Sequence, residues 1–447
     1  MSIILGEEQV KAIESIKTFV SSSETCISLS GYAGTGKSTI VLQIIEMLEK
    51  KNKPYILCAP THKAKVVLET FTGREGCTIH KLLSLSPNIE IQDLDFRELT
   101  FQMRNKVNLI PSGGIVICDE SSMINDELYE ALKKETKALN SQIIFVGDKA
   151  QIQPVNSRSY SKVFSLPNSI TLTKIYRQSS ESGLITTLEE LRTRALGKFN
   201  ENIGTDGSLY CYSDIREFFK KLIPLYKKAI NNASILEVKL LAYTNARVDA
   251  LNNKTKELLF GNNNEYNKGE FITGTENLSF GDVKFWNSMD YIIADEPEKI
   301  DLNIKDFISL PSYRLNLYNS SNHSLESVCI LSKEISSDYL NSLAYFIEDL
   351  RLSALNTKYG KGKVWAKYYK LMESFTTPVD LFYDGRMIRK KSFSLGYAST
   401  IHKSQGSTLN NVFIDSKDLG VCRNVEELRQ LQYVALSRAK NNVYIYQ

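Results

Sequence analysis

The residues best suited to chemistry stand in "SLSGYAGTGKSTIVLQ", residues 28–43. There Gly31-x-x-x-x-Gly36-Lys37-Ser38 has the spacing of a loop that curls around phosphate groups. Backbone amides must converge on phosphate oxygens at a helix start, and the tight curl demands glycine. Lys37 offers a point charge and Ser38 a hydroxyl for Mg²⁺. The four fixed positions coincide by chance in about two chains in a hundred of this length. A β-branched run before and a helical run after lower that further, so the segment reads as nucleotide-binding. Downstream, "GIVICDE" (114–120) ends in Asp119-Glu120. A strand-tip carboxylate can hold Mg²⁺, and its neighbour can orient or deprotonate an attacking water. Taken alone, such a pair is more often a solvated strand end; behind a phosphate loop, hydrolysis is the better reading. "FVGDKAQIQPV" (145–155) adds Gly147, Asp148 and Gln151 after another strand, either a polar turn or a γ-phosphate sensor.

Regular elements must position these groups. "TCISLS" (25–30), "PYILCAP" (54–60), "GIVICDE" and "SQIIFVGD" (141–148) are continuous apolar runs suited to strands covered on both faces. Helical patterns lie at 37–50, 62–71 and 124–139, so the first half reads as a parallel α/β sheet. Residues 84–108 break the rhythm, with "IEIQDL" and "LTFQM" as strands of a small hairpin. A second α/β unit is split between 237–259 and 395–446. The intervening 266–394 carries short antiparallel strands and the helical stretch "SSDYLNSLAYFIEDLRLSAL", an inserted domain with a small β-barrel. In "KYGKGKVWAKYYKLMESF" (358–375), lysines alternate with aromatics, which can follow a nucleic acid. Trp365, Tyr368, Tyr369 and Met372 fall at helical spacing, however, and an apolar packing face is favoured.

Composition narrows the class. The 447 residues allow two to four domains, and a net charge of +4 permits a polyanionic partner without requiring one. Seven scattered cysteines without a C-x-x-C pair fit a reducing compartment, and four dispersed histidines argue against a histidine metal site. No apolar stretch approaches membrane-spanning length. A cytoplasmic protein is expected, in a bacterium or a phage-infected host.

The ordered set "GYAGTGKST", "APTHKAK", "CTIH", "ICDESSM", "GDKAQIQPV", "YRQ", "YTNARVDALN", "ASTIHKSQGST" and "YVALSRAK" resembles the motifs of superfamily 1 helicases. It is most similar to the 1B branch of RecD-like and Dda-like enzymes, which move 5′ to 3′. The resemblance runs over nearly the whole chain and is weakest at 266–394. It implies two RecA-like parallel-sheet domains: 1A at 1–83 and 109–172, and 2A at 173–265 and 395–447. A hairpin insertion, 1B, would occupy 84–108, and an SH3-like barrel with helices, 2B, would occupy 266–394. Carried over by residue, the resemblance makes Gln9 an adenine reader and Tyr176 an aromatic packed on the base. Gly31, Ala33, Gly34, Thr35, Gly36, Lys37, Ser38, Thr39 and Gly406 join them around ATP. Ser38 and Asp119 would hold Mg²⁺, Glu120 would be the general base, and Gln151 the γ-phosphate sensor. Arg177 and Arg438 would reach the γ-phosphate.

For single-stranded DNA, the resemblance points to the segments beginning at Thr61, Thr78, Thr244 and Thr400, with His62, Lys63, His80, Asn245, His402 and Lys403 beside them. Each histidine alone is more often structural. Pro87 and Phe96 in the hairpin would stack on a base or block its slide, and the hairpin would split the duplex at a single-strand/double-strand junction. The expected activity is an ATP-dependent DNA helicase and single-strand translocase, acting in replication, recombination or repair. A monomer is expected, with a single-strand-binding or replication protein as a further partner. The alternatives are a translocase whose task is stripping proteins from DNA, or a P-loop kinase or ATPase with no polymer partner.

Overall fold

The computed structural model describes residues 5–87, 101–103, 109–153, 161–175, 183–205, 207–280, 283–304, 308–321, 323–357 and 360–447. The chain divides into two compact units. One comprises Met1–Cys211, Ser404–Thr408 and Gly420–Val443; the other comprises Tyr212–Lys403, Leu409–Leu419 and Tyr444–Gln447.

In the first unit, α1 (Glu7–Val20) leads into β1 (Cys26–Gly31), α2 (Lys37–Lys50), β2 (Tyr55–Ala59), α3 (His62–Thr72), β3 (Gly76–Thr78) and α4 (Ile79–Leu82). After β4 (Leu85–Pro87) and β5 (Phe101–Met103) come β6 (Ile115–Cys118), α5 (Asp126–Ala138), β7 (Gln142–Gly147) and β8 (Ser169–Leu172). The apolar runs do form a parallel sheet, in the order β3-β2-β6-β7-β1-β8. Because side chains alternate across a strand, each run feeds two cores. Leu29, Leu57, Ile117 and Ile144 meet Ile16, Ile40, Ile44 and Leu48 on one face. Cys58, Val116, Cys118 and Phe145 meet Ile79, Tyr129 and Leu132 on the other. The consequence for chemistry lies in the order β6-β7-β1. The phosphate loop, Asp119-Glu120 and Asp148–Gln151 all follow adjacent strands and share one edge of the sheet.

The hairpin differs in part from expectation. "FQM" does pair antiparallel, but with Leu85–Pro87, in the register Leu85↔Met103 and Pro87↔Phe101. The segment "IEIQDL" (89–94) lies outside the described residues. Leu85 packs against the core that α4 has just left, which anchors the first strand earlier in the chain than its alternation suggests. This unit also holds α6 (Gly183–Leu191) and the antiparallel pair β9 (Asn202–Gly204) and β10 (Gly207–Tyr212).

In the second unit, α7 (Ile215–Asn231) precedes β11 (Val238–Ala242) and α8 (Asn245–Phe260). Ala398–Thr400 and Leu409–Asp415 flank β11 in parallel. Phe218, Leu222, Tyr226, Tyr397 and Phe413 fill the core beneath them. The inserted segment adds β12 (Phe271–Gly274) to an antiparallel sheet. Its path runs Glu298–Asn303, Ser309–Asn319, Asp290–Ile293, β12, Phe393–Leu395, with Ser324–Leu331 also paired to Ser309–Asn319. Helices α9 (Ser337–Asn356) and α10 (Lys361–Met372) follow, sharing a core of Leu343, Ile347, Leu371 and Phe375. The aromatic face of α10 is divided. Tyr368 and Met372 pack into that core, whereas Tyr369 is exposed and stacks on Trp365 with ring centroids 5.6 Å apart. The short α11 (Ser416–Leu419) then precedes α12 (Val425–Ser437), which lies in the first unit.

Candidate nucleotide site and nucleic-acid contacts

The loop between β1 and α2 is shaped by its glycines. Gly34 and Gly36 have φ of 82° and 81°, and a Cβ on Gly36 would lie 2.1 Å from Gln9 Nε2. A Cβ on Gly31 would lie 2.6 Å from Thr35 Oγ1. That hydroxyl donates to Tyr32 O (2.8 Å), and Lys37 Nζ donates to Gly31 O (2.5 Å) and Tyr32 O (3.0 Å). Gln9 is buried; its Oε1 accepts from Gly6 N (2.9 Å) and its Nε2 donates to Thr35 O (3.1 Å). Each of these bonds uses one of the two donor or acceptor sites of its atom, so one N–H and one lone pair of the amide are left for an adenine. Ser38 and Thr39 occupy the first turn of α2, with Ser38 exposed.

At the tip of β6, Asp119 Oδ1 accepts from the Glu120 amide at 2.8 Å. Burial, and then the Glu120 charge, push the Asp119 carboxyl up to about 7, against the pull of that amide and of the Lys37 ammonium. Lys37 and Asp119 thus belong to one electrostatic site. Glu120 sits at φ 49°, ψ 39°, in the left-handed region.

Beyond β7, Asp148 is 1% exposed. Its Oδ1 accepts from Ala150 N (2.9 Å) and its Oδ2 from the Tyr433 hydroxyl (2.9 Å). That hydroxyl in turn accepts from Ala33 N in the phosphate loop, at 3.1 Å. Burial, followed by the Asp148 charge, holds the Tyr433 phenol well above its usual range, so it remains a donor. Gln151 is 4% exposed, and its Oε1 has no hydrogen-bond partner. Such a buried amide oxygen calls for an explanation, and a sensor whose partner comes with the nucleotide provides one.

Tyr433 belongs to α12, which Asn424 caps through the amides of Glu426 and Glu427. The helix ends at Arg438, 5% exposed. Arg438 donates Nε to Val434 O (3.2 Å), Nη1 to Ser407 O (3.3 Å) and Nη2 to Ser437 Oγ (3.0 Å). A Cβ on Gly406 would lie 3.5 Å from Ala64 Cβ at the start of α3. The described structure therefore gathers Gln9, residues 31–39, Asp119, Glu120, Gln151, Gly406 and Arg438 in one unit. Tyr176, Arg177 and Phe96 lie outside the described residues, and Pro87 is placed by its backbone in β4.

The four threonines share a local role. Thr61 caps α3 through Ala64 N (3.1 Å), and Thr78 caps α4 through Lys81 N (3.2 Å). In the other unit, Thr244 caps α8 through Arg247 N (3.2 Å), and Thr400 accepts from Lys403 N at 3.4 Å. Each lies at the end of a parallel strand or two residues beyond it, and opens a helical turn that starts with Asn245, with His62 and Lys63, or with residues near His80, His402 and Lys403. A helix start presents more N–H groups than one side chain can take, so hydroxyl and amides together suit phosphate oxygens. Burial, helped by Lys65, pushes His62 down to about 4; burial also lowers His80. Burial and then Lys390 and Lys391 lower Lys403. The His402 ring lies 6.1 Å from that of Tyr243.

Sequence reasoning missed Tyr433, and also Asp418, whose carboxylate accepts from Tyr243 N, Thr244 N and Thr244 Oγ1 at 2.7, 2.7 and 2.9 Å. The available signal for Tyr433 was a phenol inside the otherwise apolar "YVAL", because a buried hydroxyl needs a partner.

A parallel sheet with a phosphate loop, a partly buried carboxylate and a buried glutamine amide on adjacent strand tips defines a P-loop ATPase of RecA-like architecture. Comparison with known proteins refines this. Residues 4–211 match the AAA domain model, and 395–446 match the UvrD-like helicase C-terminal domain model. The chain is 25% identical over 467 residues to the ATP-dependent DNA helicase dda of Enterobacteria phage T4, covering 98% of each. It is 24% identical to the RecBCD enzyme subunit RecD of Buchnera aphidicola, over 97% of this chain and 72% of that one. The fold is shared with Pif1 helicase from Bacteroides, crystallised with ADP-AlF3 and single-stranded DNA (TM-score 0.51, 18% identity, 99% and 92% of the two chains). Along nearly its whole length the chain is thus similar to helicases of superfamily 1B.

Proposed function

We propose that this ATP-dependent DNA helicase uses residues 31–39, Asp119, Glu120, Gln151 and Arg438 to hydrolyse ATP while moving 5′ to 3′ along single-stranded DNA. The observation that carries the site is the Asp148–Tyr433–Ala33 bridge, which seats the helix ending in Arg438 against the phosphate loop. Lys37 binds the phosphate tail, Glu120 takes the proton of the attacking water, and Gln151 contacts the terminal phosphate. A guanidinium at that phosphate is worth on the order of 10³–10⁵ in rate, and Arg438 is assigned this role, together with Arg177. The 5′-to-3′ direction rests on the resemblance to the RecD-like branch.

The donor set suits Mg²⁺. Among the described residues no cluster of three or more His, Cys, Asp or Glu side chains could hold a metal. The chain's share is then the Ser38 hydroxyl and the Asp119 carboxylate, hard oxygen ligands that Mg²⁺ ordinarily takes beside phosphates and water. The ion would neutralise charge on the phosphates.

The threonine-capped turns are assigned to single-stranded DNA, domain 1A to 1–83 and 109–172, 1B to 84–108, 2A to 173–265 and 395–447, and 2B to 266–394. Strand displacement on 5′-tailed and 3′-tailed duplexes, with and without ATP, tests the direction; ATP-dependent opening of only the 3′-tailed substrate would refute it. DNA-stimulated ATPase unchanged by Arg438→Ala would refute the role of that arginine.

A further inference from the structure

Arg192 follows α6 directly, and none of the roles above uses it. The centre of its guanidinium lies 3.6 Å from the centroid of the Tyr32 ring, the second residue of the phosphate loop. Its side chain is 13% exposed, and Nη1 lies 3.9 Å from Glu189 Oε1. Nε and Nη2 are buried and have no hydrogen-bond partner. These two groups form one edge of the planar guanidinium, the edge that grips two oxygens of a carboxylate or phosphate at once. Leaving charged donors buried and unpaired is costly, and native structures keep such edges where something fills them.

The backbone that carries this side chain is held at the end of α6. Arg429 of α12 donates Nη1 to Leu191 O and Arg192 O, each at 3.1 Å, closing the end of α6. Beneath the guanidinium, the Tyr32 carbonyl accepts from Lys37 Nζ, and the next amide, Ala33 N, reaches Tyr433. The nearby carboxylates are engaged: both Asp148 oxygens accept hydrogen bonds, and Glu189 faces Nη1. The oxyanion left for the Nε/Nη2 edge is one brought to the loop.

We propose that the Nε/Nη2 edge of Arg192, carried on the Tyr32 ring, binds the terminal phosphate of a nucleoside triphosphate held by the phosphate loop. The proposal rests on the reading of residues 31–38 as the nucleotide site. It makes Tyr32 the platform of a detector that distinguishes triphosphate from diphosphate.

The test uses the full chain and measures competition of ADP and of a non-hydrolysable ATP analogue against a fluorescent ADP. Arg192→Gln is expected to weaken the triphosphate analogue roughly ten- to hundred-fold, the range of a lost charge-assisted bond, and ADP by less than about two-fold. Arg192→Lys keeps the charge without the fork and is expected to recover part of the loss. Tyr32→Leu removes the platform, leaves Arg192 in place and is expected to give the same selective loss, so a poorly folding Arg192 variant does not decide the matter alone. Equal losses for both nucleotides, or none, in Arg192→Gln and Tyr32→Leu would overturn the proposal and leave the stack a structural contact. Lys37→Ala separates the two readings. If it leaves both affinities intact, the nucleotide-site reading itself fails; if it abolishes binding while the Arg192 and Tyr32 variants stay indifferent, only the present proposal fails.

Discussion

Tyr433→Phe removes one oxygen atom and leaves the ring that fills the space. That oxygen donates to Asp148 Oδ2 at 2.9 Å and accepts from Ala33 N at 3.1 Å, and both Tyr433 and Asp148 are 1% exposed. The variant leaves a buried carboxylate one charge-assisted bond short, worth about 1.5–3 kcal/mol, and a loop amide without its acceptor, worth about 1 kcal/mol more. With no cavity term, the loss is about 2–4 kcal/mol. For a unit of this size it should lower the melting temperature by roughly 5–15 °C. Both tryptophans, Trp286 and Trp365, lie in the other unit, so calorimetry reads the shift where tryptophan fluorescence would not. Asp148→Asn completes a double-mutant cycle. If the bond is the source of the loss, the two substitutions should couple by about 1 kcal/mol or more. A Tyr433→Phe protein melting within about 1 °C of the parent, with no coupling to Asp148→Asn, would refute the reasoning.

Three further outcomes are expected. Gly36→Ala forces a side chain onto a φ of 81° and into the Gln9 amide, so ADP affinity measured by fluorescence titration should fall at least tenfold. Asp418→Ala strips three acceptor contacts from the start of α8; tryptophan-monitored urea unfolding should lose about 1–3 kcal/mol, and affinity for single-stranded oligonucleotide should fall with it. His62 takes a proton near 6.5 when unfolded but only near 4 in the fold, so the unfolded state binds more protons between those values. Stability should therefore be fully present above pH 6.5 and drop as pH falls toward 4. Urea midpoints of His62→Gln should show a shallower decline across that window, and parallel curves for the two proteins would contradict the assignment.

The parts legible in the sequence were those set by local backbone needs. The phosphate loop must curl, and Gly31, Gly34 and Gly36 declare it; the four apolar runs must be covered on both faces, and they form strands within a residue or two of their apparent ends. Which aromatic of α10 is covered depends on where α9 packs, so helical spacing alone grouped Tyr369 with Tyr368 although only Tyr368 is enclosed. The bridge from Asp148 to Tyr433 spans 285 residues, and no local pattern announces it. The threonines illustrate an intermediate case. Resemblance marked them as DNA contacts, while their capping of α3, α4 and α8 follows from residue type and was there to be read.

Glu120 offers the sharpest separation of stability from chemistry. Its φ of 49° costs a residue with a Cβ about 1–2 kcal/mol, which glycine escapes. Glycine, in turn, gives back about 0.5–1 kcal/mol through the freedom of the unfolded chain. Glu120→Gly should then be as stable as the parent, or more stable by up to about 1 kcal/mol, while losing the carboxylate proposed to activate water. Glu120→Ala keeps the strain and loses the same carboxylate, so it should be the less stable of the two and equally inactive in DNA-stimulated ATP hydrolysis. Stability and turnover would thus move in opposite directions at one position, as expected where backbone strain is kept to aim a catalytic group. A Glu120→Gly protein that hydrolyses ATP at the parental rate would remove the general base, and one less stable than Glu120→Ala would remove the strain.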